Sequence, residues 1–258
     1  MATLFFIGLG LGDERDLSER ARTVLESCSS LFAEEYTSTL ASGSLERLEK
    51  LVGHPIHRLG RSEVESERPV LEALAASSSV AFLAVGDPFA ATTHVHLRLA
   101  AEKAGHAWAY LPNASILTAA AGYLGLMHYR FGPTVSLPLP APGFAPTSPL
   151  DRIAENLGRD LHTLVLLDLQ PTEGKFLTAP EALRIVQERA PDRQEPLFPD
   201  SRKVAVVARV GTPSAQGWYG TMDALRRQEF GPPLHSLVIP AQRLHFEEEA
   251  AIHRYAVG

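Results

Sequence analysis

The acid with most to offer chemically is Asp87, because of where the chain must put it. Val80 to Val85 is an uninterrupted apolar run, short and rich in Val and Phe, and it reads as a strand buried on both faces. Gly86 and Pro88 forbid its continuation, and Pro88 disfavours helical geometry at Asp87. The carboxylate is therefore held in an extended or turn conformation just past the strand's carboxyl end, where open α/β sheets bind ligands. There it can accept hydrogen bonds or balance positive charge. The competing reading is a tight turn whose Asp caps the helix beginning near Thr92.

A second candidate is Gly8-Leu9-Gly10-Leu11-Gly12, which follows a first strand at Leu4 to Ile7 and allows a backbone to approach a ligand closely. It is not a good dinucleotide fingerprint. That motif wants its last glycine where this chain has Asp13, and a carboxylate there would repel a pyrophosphate. Glu34 and Glu35, about twenty residues on, keep the reading alive but weak. Tyr36 and His94 stand where they could line a cleft, although an aromatic after a strand and a histidine at a helix start are commonly structural. His54 with His57, and His94 with His96, lack the remaining ligands of a zinc site, so no metal is expected. Glu247 to Glu249 reads as a solvated acidic face.

The elements that must position these groups follow from periodicity and punctuation. Asp16 with Glu19 has the form of a capping box for a helix running to about Ser29. Leu45 to Leu51 and Val64 to Ala76 read as helices, the latter with Leu71 and Leu74 on one face, and Ile56 to Leu59 as a brief strand. His94 to Ala104 reads as helix and Ala107 to Leu111 as strand. The first 110 or so residues thus alternate in the manner of a parallel sheet. After the break at Pro112-Asn113 come a small-residue helix, Ser115 to Leu124, and strands at Thr134 to Leu139 and Thr163 to Asp168 with a helix at Asp151 to Gly158 between them. Thr178 to Arg189 carries its own Thr-x-x-Glu cap with Pro180 in the first turn. Further strands are expected at Lys203 to Arg209 and Leu234 to Pro240. The proline-rich stretch Pro133 to Pro149 has the composition of a linker, but the strand inside it makes it a long loop of the second half. No internal repeat is visible.

With 258 residues, 45% hydrophobic and 21% charged, the chain has ordinary globular composition and enough length for real cores. The net charge of −6 offers no global basic field for nucleic acid or anionic lipid. No run approaches the roughly 18 apolar residues a membrane span needs. The apolar start, MATLFFIGLGLG, has no preceding Lys or Arg and runs into DERD, so it reads as a strand and not a signal segment. The single cysteine, Cys28, excludes an intramolecular disulfide and is expected to pack a helix. Together these readings place the protein in the cytoplasm.

Seven blocks in order resemble the diphthine synthase family: GLGLGDERDLS, AEEYTS at Ala33 to Ser38, GDPFAATTH at Gly86 to His94, NASI at Asn113 to Ile116, DLHTLVLLDL at Asp160 to Leu169, ARVGT at Ala208 to Thr212, and FGPPLHSLVIP with RLHFEEE. The resemblance runs from about Leu4 to Glu249. It implies a tetrapyrrole-methylase type of α/β protein with two α/β/α domains, broken near Pro112 into 1–112 and 113–258, and S-adenosylmethionine in the cleft between them. It also implies a homodimer. Carried over position by position, the cofactor contacts fall on Leu11, Asp87, Ala90 (where members commonly have valine), Ser115, Ile116, Leu167, Val210 and His235. For the leucines, ordinary core packing is the alternative role.

The activity implied is methylation, to the trimethyl form, of the amino group of 2-(3-amino-3-carboxypropyl)histidine on translation elongation factor 2, giving diphthine on the route to diphthamide. Such transfer is an in-line displacement needing no metal. No residue is named as catalytic acid or base, since an α-amino group with a pKa near 8 can lose its proton to solvent. The rival within the same superfamily acts on a porphyrinoid or on ribosomal RNA, against which the negative charge argues. Rivals of other classes are a nicotinamide oxidoreductase and a non-catalytic binding module.

Overall fold

The computed structural model describes residues 1–36, 38–144, 146–189 and 196–258. The chain forms two units, 1–116 with 170–174 and 117–169 with 175–258, each considered by itself.

The first unit is built on a parallel sheet of β1 (Thr3–Gly8), β2 (Ser30–Glu34), β3 (Ile56–Leu59), β4 (Ser79–Ala84) and β5 (Ala107–Leu111), in the order β3-β2-β4-β1-β5. Alternation along the strands gives the sheet two apolar faces, as a parallel sheet covered by crossover helices requires. Ile7, Ala81 and Leu83 pack with α1 (Glu19–Ser27) and α2 (Leu45–Val52). Leu4, Phe6, Val80 and Phe82 pack with α3 (Arg61–Ser66), α4 (Arg68–Ala76) and α5 (Val95–Lys103). Cys28, just past α1, is buried, and burial pushes its thiol up to about 11, so it acts as a small apolar side chain.

Two expectations for this unit fail. The segment from Val64 to Ala76 is not one helix: Glu67 adopts a left-handed conformation (φ 61°) and separates α3 from α4. Pro69 is the reason, since it has no N–H to donate and fits only the first turn of a helix, so a new helix starts there. Val70 and Leu74 are the buried pair on α4, with Leu71 only partly covered. Nor does Asp16 cap α1. Ser18 does so, accepting from the Ala21 N–H at 3.1 Å, because the Asp16 carboxylate is engaged elsewhere.

Helix α6 (Ile116–Leu124) leads into the second unit. Its mixed sheet contains β6 (Val135–Leu137), β7 (Thr163–Leu167), β10 (Lys203–Ala208), β11 (Gln216–Thr221) and β12 (His235–Ile239), in the order β11-β10-β12-β7-β6. Only β6 and β7 run parallel. A short ribbon, β8 (Leu169–Gln170) and β9 (Lys175–Phe176), follows β7. One face packs on α7 (Ser148–Gly158), α8 (Ala179–Glu188) and the single-turn α9 (Met222–Leu225), joining Ile153, Leu157, Leu183, Val186 and Leu225 to Val165, Val206 and Leu237. The cap expected at Thr178 and Glu181 is present, with the Thr178 N–H donating to Glu181 at 2.9 Å. Pro133 to Pro149 belongs to this unit, carrying β6 and the start of α7.

Strand β11 and helix α10 (Phe246–Ile252) escape the sequence reading. In β11, QGWYGT, the glycines replace the apolar alternation of a strand. A Cβ at Gly217 would lie 2.8 Å from the Tyr255 ring and one at Gly220 2.8 Å from the Val257 carbonyl, so both glycines make room for the chain's last residues. On α10 the acidic run is not all solvated. Glu247 and Glu249 are exposed, but Glu248 is fully buried and accepts from the N–H groups of Met127 (2.9 Å) and His245 (3.0 Å) and from His162 Nε2 (2.9 Å). Arg130 also pairs with it. Burial alone would raise this carboxyl, but the two main-chain donors and His162 outweigh it and hold it below its ordinary value.

Candidate functional site

Three loops gather at the carboxyl ends of the adjacent strands β4, β1 and β5. The first loop and the turn after β4 are laced by reciprocal main-chain bonds, Gly10 N–H to Gly86 at 3.3 Å and Gly86 N–H to Gly10 at 2.7 Å. Gly10 is required twice over. Its φ is 76°, and a Cβ there would lie 2.6 Å from Asp16 Cβ. The Asp16 carboxylate turns back into the loop and accepts from the N–H groups of Leu11 (3.1 Å) and Gly12 (2.7 Å). Asn113, past β5, donates to the carbonyls of Gly8 and Asp16, both at 3.0 Å, and accepts from Ala114 N–H at 2.8 Å. One carboxylate and one carboxamide thus lock the loop from both sides.

Asp87 sits half-buried in this frame. One carboxylate oxygen accepts from the Phe89 N–H at 2.9 Å, and the other from the Tyr110 hydroxyl. It does not cap a helix: α5 begins after His94, and Asp87 closes an Asx turn instead. Burial and the Asp87 carboxylate push the Tyr110 hydroxyl up to about 12, so it stays protonated and donates. Beneath the turn His94 is buried, with Nδ1–H donating to the Pro88 carbonyl at 2.8 Å and its ring against Phe82. Desolvation lowers its pKa, so this neutral ring supports the turn from inside and lines no cleft.

Five of the eight expected cofactor positions meet here. Leu11 has its N–H on Asp16 and its carbonyl accepting from Ala41 N–H, which leaves its half-exposed side chain to offer a ligand. The Ala90 N–H donates to the Asp87 carbonyl at 3.1 Å and closes the turn. Ser115 and Ile116 follow Asn113 directly at the start of α6. Tyr36, past β2, is half-buried beneath the Arg61 guanidinium, 5.1 Å from its ring centre.

The other three meet in the second unit. In the ladders Leu166 faces Ser236 and Ala208 faces His235, so Leu167, His235 and the start of Val210's loop share one sheet end. Leu167 is buried and Val210 half-buried. Arg209 precedes Val210 with φ 52°, and its buried guanidinium donates to the carbonyls of Ser214 (3.3 Å), Phe230 (3.2 Å) and Pro232 and to Gln216 (3.0 Å). That clamp fixes the segment entering His235. The His235 ring is buried with Nδ1 accepting from Ala179 N–H at 3.2 Å, and desolvation keeps it neutral. Its Nε2 has no hydrogen-bond partner among the described residues. The acid ending β7, Asp168, accepts from the N–H groups of Leu139 (3.1 Å) and Leu169 (3.0 Å) and so shapes its own turn.

The model of the tetrapyrrole (corrin/porphyrin) methylases matches residues 3–226. The chain belongs to this family. Diphthine synthase of Methanothermobacter thermautotrophicus is 37% identical over 246 residues, spanning 95% of this chain and 92% of that protein. Diphthine synthase of Methanoregula boonei is 38% identical, spanning 98% of each. A crystal structure of diphthine synthase superposes with a TM-score of 0.88 at 32% identity, covering 99% of this chain and 96% of the other.

As a tetrapyrrole methylase, the chain departs from a dinucleotide fold in its first loop. The amides of Leu11 and Gly12 that a pyrophosphate would need already serve Asp16, so the loop has its anion built in. That arrangement fits a nucleoside ligand without phosphate. Sequence reasoning missed the residues that hold the methylase loops in place: Asp16, Asn113, Tyr110 and Arg209. Only Asn113 carried a signal, standing at the break after β5 where an Asn commonly bonds nearby main chain. Among the described residues no group of three His, Cys, Asp or Glu side chains is arranged around a metal position. No helix among them is long and apolar enough to cross a membrane.

Proposed function

We propose that this chain is a diphthine synthase, an S-adenosylmethionine-dependent methyltransferase. Its acceptor is the amino group of 2-(3-amino-3-carboxypropyl)histidine on translation elongation factor 2, and its product is diphthine, in diphthamide biosynthesis. The observation that carries this reading is similarity at 37–38% identity over nearly the whole chain to proteins of that activity. The phosphate-free first loop supports the choice of cofactor. The proposed cofactor residues are Leu11, Asp87, Ala90, Ser115, Ile116, Leu167, Val210 and His235.

When bound, S-adenosylmethionine supplies an electrophilic methyl group on a sulfonium. The chain's part is to hold, orient and exclude water. Leu11, Ile116, Leu167 and Val210 offer apolar cover, as ligand sites largely do. Asp87, kept in place by Phe89 N–H and the Tyr110 hydroxyl, offers its remaining lone pairs to cofactor donors. His235 has its Nδ1 accepting from Ala179 N–H, so its neutral ring carries the proton on Nε2 and offers that donor to the cofactor. The acceptor amine gives its proton to solvent before it takes the methyl group.

The proposal includes a cytoplasmic homodimer, which sedimentation equilibrium tests. For the reaction, labelled S-adenosylmethionine is incubated with the protein and either elongation factor 2 bearing the precursor side chain or a porphyrinogen. Label in the elongation factor is expected; label in the porphyrinogen alone would remove this reading.

A further inference from the structure

A cavity of about 390 Å³ opens at the carboxyl ends of β2 and β3. Glu35, Tyr36, Arg58, Arg61, Thr172 and Glu173 are among its lining residues, and every lining residue belongs to the first unit. The cofactor positions assigned above in that unit do not line it. It nevertheless shares their sheet edge. β2 is the neighbour of β4 and β3 the neighbour of β2, so at about 4.8 Å per strand the cavity begins roughly 5 Å to one side of the Gly-Asp-Pro turn and extends to about 10 Å.

The two guanidiniums in the wall differ. Arg58 is committed: it pairs with Glu35 at 3.2 Å, with Glu46 and with Glu49 at 3.8 Å. Arg61 is not. Among the described residues its ion pair is a long contact of 3.7 Å to Glu65, its side chain is 68% exposed, and it is poised over the Tyr36 ring. Five N–H donors in a planar fork suit a carboxylate. The lining as a whole is balanced, with Glu35 and Glu173 against Arg58 and Arg61. A phosphate dianion would face two carboxylates there, whereas an amino-acid head carries both charges within a few ångströms and matches the balance.

We propose that this cavity receives the acceptor's amino-acid head, with Arg61 as the ligand of its carboxylate and Tyr36 as the floor beneath. The inference rests on the function proposed above and adds to it the place where the acceptor is read. Recognition of the carboxylate distinguishes the precursor from unmodified histidine, and it leaves the amine on the adjoining carbon to face the cofactor loops.

The test compares wild type, Arg61→Gln and Arg61→Glu, with S-adenosylhomocysteine present so that nothing turns over. Arg61 is exposed, so both variants are expected to fold, as a melting curve checks. Affinity is measured by biolayer interferometry for elongation factor 2 with and without the precursor side chain. The expected result is at least a tenfold loss for the precursor-bearing form in Arg61→Gln and a larger one in Arg61→Glu. Binding of the unmodified factor and calorimetric affinity for S-adenosylhomocysteine should not change. Variants that keep precursor affinity within twofold of wild type would overturn the assignment of the cavity while leaving the proposed function standing. Wild type that does not distinguish the two forms of the factor would remove the function, and this inference with it.

Discussion

Replacing Asp16 by alanine tests whether the first loop is held for a ligand or merely for the fold. The carboxylate accepts two main-chain N–H bonds, from Leu11 at 3.1 Å and Gly12 at 2.7 Å. A hydrogen bond to a charged group contributes about 1.5–3 kcal/mol, but these two share one oxygen and are only part-buried, so water returns some of the loss. A net cost of about 1.5–2 kcal/mol follows. In a chain of this size that corresponds to a fall in Tm of roughly 3–8 °C. If the same free energy separates the ordered loop from a loosened one, affinity for S-adenosylhomocysteine falls by about 10- to 30-fold. Asp16→Asn keeps one acceptor oxygen without the charge and should lie about midway. Calorimetric titration and a melting curve on the three proteins give both numbers. A variant that melts lower yet binds S-adenosylhomocysteine within twofold of wild type would refute the placement of Leu11 in the cofactor wall.

Other outcomes follow from the same geometry. Asp87→Ala should weaken S-adenosylhomocysteine binding more than it lowers Tm, as calorimetry beside a melting curve would reveal. Unchanged affinity counts against Asp87 as a contact. Glu248→Ala strips a buried carboxylate from His162, Arg130 and two main-chain donors, so urea unfolding should register a loss of about 3–5 kcal/mol, and a loss below 1 would mean the cluster is idle. S-adenosylhomocysteine should raise Tm and NADH should not; the opposite pattern favours a nicotinamide enzyme. Acid should unfold the protein early, because desolvation holds the pKa of His94, His162 and His235 below their ordinary 6.5. Each folded pKa is the depressed one, so this stability is present above pH 6.5 and is lost as pH falls through it toward the folded values. The slope reaches about 1.4 kcal/mol per pH unit per histidine, and the lowered Glu248 extends the loss below pH 4.5. Unfolding free energies that stay flat from pH 7.5 to 5.5 would contradict this.

Much of the fold was legible because it rests on short-range signals. β3 and β5 lie where apolar runs and turn residues put them, and the box at Thr178 and Glu181 has its sequence form. What was not legible depended on distant partners. Glu248 lies in a run of three acids that looks solvated, and His162, Arg130 and the Met127 N–H, far away in sequence, make it a core residue. Asp16 has the spacing of a helix cap, but Leu11 and Gly12 claim it first. Pro69 was the exception: its local rule was visible, and the apolar period across Val64 to Ala76 masked it. For the candidate site, the Gly-Asp-Pro turn could be read from strand length and proline geometry alone, whereas Tyr110, which holds its Asp87, arrives from the strand two positions along the sheet, and Asn113, which holds the first loop, from just beyond that strand.

The arrangement of the second sheet bears on where the chain can be shortened. The family match stops at residue 226, yet β12 lies between β10 and β7, and residues 255–257 press against β11. Ending translation at that boundary would pull out an interior plank and leave β10 and β7 each with one open ladder, so the final thirty-odd residues are framework and cannot be trimmed as a tail.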